Sequence, residues 1–129
     1  MKLKWWMRAV GSFYFFLFIA CVFLKIPIQK EGPPTVLPLA ESGDAVAKFA
    51  VDTWVTIGIG YAVLSAALFF YSRFPQQARS LIWTIVAWEG GGIIVDIYKL
   101  SQGYDAAVSA PFMIIHAVAI TTGLLFLRK

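Results

Sequence analysis

The sequence predicts an all-α integral membrane protein: a four-helix bundle threaded up-down-up-down, with both termini on the cytoplasmic side. Three observations predict it. Four apolar stretches occupy most of the 129 residues, and about 20 apolar residues in a helix cross roughly 30 Å of hydrocarbon. Hydrophobic residues make up 60% and charged ones 14%, against ~45–50% and ~25% in soluble domains. Lys and Arg flank the apolar stretches instead of forming a patch, which is where they set orientation and meet anionic headgroups. The net charge of +4 therefore gives no support to nucleic-acid binding. A single transmembrane domain over 1–129 is expected, with spans at about 9–26, 48–72, 80–98 and 106–127 and an extracytoplasmic loop at 27–47.

The first span follows Lys2, Lys4 and Arg8, with Trp5-Trp6 as an interfacial aromatic belt and Pro27 as its end, since proline biases the residue before it away from helix. The basic start also resembles a signal peptide. However, Phe18-Ile19-Ala20-Cys21 is a poor lipoprotein box and the apolar run continues through Leu24, so a retained helix is expected. Cys21, the lone cysteine, forms no intramolecular disulfide and no cysteine-rich metal site. It reads as a small packed hydrophobe.

Gly32, Pro33-Pro34 and Pro38 predict an extended first half for the long connection, and Ser42 or Asp44 a cap for a helix from about Ala45. That helix runs into the second span, which ends at Arg73-Phe74-Pro75. A tight turn over Gln76–Arg79 leads into the third span, and Ser101-Gln102-Gly103 turns the chain into the fourth. Pro111 lies in the first turns of that helix, where a mild kink at most is expected.

The amino end, the second connection and the tail carry Lys2, Lys4, Arg8, Arg73, Arg79, Arg128 and Lys129. The other side carries Lys25, Lys30, Lys48 and Lys99, mixed with acidic residues. The basic excess marks the cytoplasmic side. A multi-pass protein of the bacterial inner membrane follows.

The third span carries Glu89 and Asp96, and the fourth His116. Counted from the cytoplasmic ends, Glu89 and His116 lie at depths of ~14 and ~17 Å, both near the midplane. An ionisable residue there is a functional-site candidate by default. Glu89 and Asp96 are seven residues apart and share a face, with Gly92 between them; Ser109, His116 and Gly123 form a similar stripe. The two stripes are expected to face each other, with Glu89 neutral or paired to His116, since an isolated charge in hydrocarbon is costly. The plain reading is one hydrogen bond fixing helix register; the functional reading is a site that holds or passes a proton.

Asp96, Asp52 and Lys99 are expected at the outer headgroup level, on a solvated rim or, as the alternative, at a substrate entrance. Tyr61, with Trp54 and Ser65 on its side, lies about half a turn away from Asp52. Trp88, next to Glu89, completes the candidates. Gly90-Gly91-Gly92 lacks the strand and the Gly-Lys-Ser/Thr of a phosphate loop, and reads as close packing or a hinge. No metal site and no cofactor are expected: haem ligation by His116 would need a second histidine, and there is no Ser-His-Asp set.

Asp52-Thr53-Trp54, the run from Asp96-Ile97-Tyr98 to Gly103-Tyr104-Asp105, and Ile114-Ile115-His116 resemble small four-span bacterial membrane proteins of the DoxX-like kind. The resemblance implies fold and location, and no site. Small multidrug transporters share the size, but carry their key glutamate in the first span, where this chain has none. Three functions remain open at this point. One is a non-catalytic protein binding a lipid-like ligand or serving as accessory subunit of a membrane complex, to which aromatic walls are suited. Another is a proton-coupled transporter working as a homodimer with Glu89 as proton site. The third is an isomerase using Glu89 and His116. Membrane lipids are the expected partners in each.

Overall fold

The computed structural model describes residues 2–26, 29, 35–103 and 106–128, with the side chain of Val108 set aside. Among the described residues all regular structure is helical, with no strand. Helix α1 covers Leu3–Val22, α2 Val36–Glu41, α3 Ala45–Tyr71, α4 Arg79–Ser101 and α5 Ala106–Leu127, and a 3-10 turn covers Pro75–Gln77. Four of these helices, all but α2, are long and apolar enough to cross a membrane. Large apolar side chains project from all four, among them Phe16, Val63, Ile94 and Ile114, each more than half exposed. That much exposed apolar surface suits lipid rather than water, and marks a multi-pass membrane protein.

Two compact units make up the chain: Trp5–Phe70, and Tyr71–Lys129 together with Met1–Lys4. Within the first, α1 and α3 pack antiparallel through small residues, which let helix backbones approach closely. A Cβ on Gly11 would lie 3.3 Å from that of Leu68, and one on Gly58 2.7–2.8 Å from Val22 and Cys21. The Ser65 hydroxyl donates to the Gly11 carbonyl at 2.8 Å, and the Tyr14 and Tyr61 rings meet at 5.5 Å. The Tyr61–Ser65 side of α3 therefore faces α1. Cys21 is buried.

Local chemistry sets the helix ends. At the end of α2, Gly43 takes φ 95°, its amide donates to Ala40 O, and the Asp44 amide donates to Leu39 O. This is the six-to-one and five-to-two pattern of a Schellman stop, which needs a left-handed residue. Asp44 then caps α3, its carboxylate accepting from the Ala47 amide at 2.8 Å. Pro38, expected in an extended run, is the third residue of α2, where its missing N–H would have had no helical partner in any case. Gly103, at φ 84°, ends α4 as the turn residues predict. Helix α1 starts six residues before the expected span and ends four before its predicted limit. At that end the amides of Phe23 and Leu24 both donate to Ile19 O, and Lys25 turns left-handed at φ 51°. Pro27 and the run Gly32-Pro33-Pro34 lie outside the described residues.

In the second unit, α4 and α5 pack along each other as an antiparallel pair. The buried stripe of α5 contains Ser109 and Gly123, the residues that bracket His116 at seven-residue spacing.

Candidate functional site

The polar stripe of α4 reads Glu89, Gly92, Asp96, positions i, i+3 and i+7 of one helix face. Glu89 is 1% exposed and Asp96 6%. Opposite them, α5 presents His116, whose side chain is 13% exposed. Its Nδ1 lies 2.5 Å from Glu89 Oε2, and its Nε2 3.6 Å from Asp96 Oδ2. The first contact is a hydrogen bond; the second is within ion-pairing range but longer than a hydrogen bond.

Gly92 makes this arrangement possible. A Cβ there would lie 2.6 Å from His116 Cε1, 2.7 Å from Nε2 and 3.0 Å from Nδ1. The imidazole thus lies flat over the bare backbone midway between the two carboxylates, and its two nitrogens reach one each. Since the ring nitrogens point to opposite edges, the three groups do not converge on one point as metal ligands would. Among the described residues, no three His, Cys, Asp or Glu side chains are placed to hold a metal ion.

Glu89 and His116 are neighbours, as their matching depths predict. Asp96 corrects the expectation of a solvated rim: it is buried and turned to the same imidazole. The signal was in the seven-residue spacing that put Asp96 on Glu89's face, and it was outweighed by a depth counted along the helix axis. Gly90 and Gly91 meet nothing within 4 Å, so of the three glycines only Gly92 serves close packing. Trp88 is 41% exposed, on a different face from Glu89. Asp52, Trp54 and Tyr61 belong to the other unit, with Asp52 exposed, Trp54 partly buried and Tyr61 stacked near Tyr14.

Chemically, the arrangement sets one imidazole between two carboxylates, each toward a different ring nitrogen. A neutral ring has one N–H and one lone pair. Its single N–H can therefore be offered to only one of the two carboxylates at a time.

The chain belongs to the BphX-like family, whose model matches residues 1–129. No curated protein and no solved structure matches it.

Proposed function

We infer that this BphX-like protein works in the bacterial inner membrane as a small proton-coupled transporter, with Glu89, His116 and Asp96 as the proton site. The observation that carries the reading is the imidazole addressed by two buried carboxylates. A hydrogen bond that merely fixed helix register would need only Glu89; a second buried carboxylate on the same ring adds desolvation cost without adding register. A midplane carboxylate such as Glu89 is typical of transporter sites. Four spans rarely enclose a path alone, so the working unit in this reading is a homodimer. The isomerase alternative fares worse, because both nitrogens of His116 already face carboxylates.

A pH jump across the protein adsorbed on a solid-supported membrane tests the reading without a known substrate. Wild-type protein is expected to give a transient charge displacement, and Glu89→Gln one at least about tenfold smaller. Equal transients from the two would sink the proposal.

A non-catalytic role, with a lipid-like ligand or as accessory subunit, is the second reading. It is favoured by the apolar faces, above all that of α5, of whose spanning window only 6% is buried. The resemblance to DoxX-like proteins adds to either reading only a span count and a location.

In both readings the four long helices cross the membrane in alternating directions with cytoplasmic termini, the orientation to which the distribution of Lys and Arg points. In a Cys21→Ala background, cysteine introduced at Gln29 or Ser42 is expected to react with an impermeant thiol reagent in intact cells. Cysteine at Gln76 should react only after lysis. The opposite labelling pattern would reverse the topology.

A further inference from the structure

We propose that the cleft at the Lys2/Arg79 end of the α4–α5 unit seats the headgroup of an acidic phospholipid from the cytoplasmic leaflet. The cleft has a volume of about 530 Å³ and forms where four segments meet: the amino end, the 3-10 turn, the start of α4 and the end of α5. Lys2, Arg79 and Gln76 supply two cations and an amide, while Leu3, Phe126 and Leu127 supply an apolar wall. This is the amphipathic character of a lipid at the membrane interface, with a phosphate on the polar side and the first methylenes against the wall.

Charge complementarity selects the occupant. No Asp or Glu occurs in 1–4, 71–88 or 106–129, so these segments offer the two cations no carboxylate side chain. Among the described residues neither Lys2 nor Arg79 forms an ion pair. Both side chains are exposed, at the ends of helices long enough to cross a membrane, where the nearest abundant anions are lipid phosphates. A free phosphate would use the cations but leave the apolar wall bare. Basic sites between spanning helices on the cytoplasmic side bind acidic headgroups for this reason. The proposal rests on the membrane-spanning part of the reading above and not on the proton site, which lies about ten residues deeper along α4.

Native mass spectrometry of the full chain in mild detergent tests it, with phosphatidylglycerol or phosphatidylcholine of matched acyl chains added. Wild-type protein is expected to retain phosphatidylglycerol preferentially. Each neutralised cation should weaken that preference about fivefold, so Lys2→Gln with Arg79→Gln should reduce it roughly twenty-five-fold. The exchange Lys2→Arg with Arg79→Lys, and neutralisation of Lys48 and Lys99 as a control, should both preserve it. Glu89→Gln should preserve it too, so a failed proton site and a failed lipid seat give different results. Equal retention of the two lipids by wild-type protein would overturn the proposal, as would an unchanged preference in the doubly neutralised variant. Complete displacement of phosphatidylglycerol by millimolar inorganic phosphate would also overturn it, by revealing a simple anion site.

Discussion

Replacing Glu89 or His116 singly by alanine is expected to lower the thermal stability of the detergent-solubilised protein more than replacing both by leucine. The reason is asymmetric desolvation. Glu89 is 1% exposed and meets His116 Nδ1 at 2.5 Å, so deleting either partner takes this bond from the other in a site with little access to water. Breaking a buried charged pair costs about 3–5 kcal/mol, whereas exchanging the whole pair for apolar residues of similar volume is often neutral. His116→Ala should be the worst of the three, because it leaves both Glu89 and Asp96 without the imidazole. After Glu89→Ala the ring keeps Asp96 at hand. The size of the coupling is informative as well. Interhelical hydrogen bonds between neutral groups in membranes average about 0.6 kcal/mol, so a coupling of several kcal/mol would mark a charged pair. A double-mutant cycle followed by thermal unfolding measures it. Additive losses from the two single changes would refute the pairing.

Which parts of this site were legible in the sequence follows from how each residue signals. The four long helices declare themselves because hydrocarbon leaves few options: a chain crossing it must satisfy every backbone group internally, and uninterrupted apolar runs say where. Glu89 and His116 stand out because each interrupts such a run, and helix rise converts their positions into matching depths. Asp96 lies nearer the span's end, and by depth alone it belongs with the headgroups. What moved it into the cluster is the shape of imidazole, with nitrogens on opposite edges, laid over a glycine so that one ring reaches both carboxylates. The seven-residue spacing along α4 put Asp96 on the right face, but its meeting with the ring is a property of two helices in contact.

Local exceptions have similar origins. Pro38 reads as a breaker, yet it is the third residue of α2, where proline costs no hydrogen bond. Lys4 and Arg8 read as lying outside the first span, yet both are within α1. Long basic side chains can extend to the headgroups from a helix that begins early. Arg8 also lies over the Trp5 ring, at 5.2 Å. Asp44 behaves as its residue type predicts, since N-cap chemistry is settled within four residues of chain.

The same dependence on one contact makes Gly92→Ala the most damaging methyl group that can be added to α4. Its Cβ would fall 2.6–3.0 Å from three atoms of the His116 ring, closer than carbon and nitrogen approach without displacement. The ring has no harmless retreat: moving away from α4 lengthens the Glu89 bond and the Asp96 contact together. Elsewhere on the same helix, alanine is preferred over glycine by about 1 kcal/mol, and Gly90 and Gly91 meet nothing within 4 Å. Gly91→Ala is therefore expected to be neutral or slightly stabilising, while Gly92→Ala should cost about as much as losing the pair and should abolish the pH-jump transient. Combining Gly92→Ala with His116→Ala separates this cause from a general packing defect. Once the ring is gone the methyl group has space, so the double variant should be no less stable than His116→Ala alone. A further loss in the double variant, or equal behaviour of Gly91→Ala and Gly92→Ala, would show that the glycine is not there to seat the imidazole.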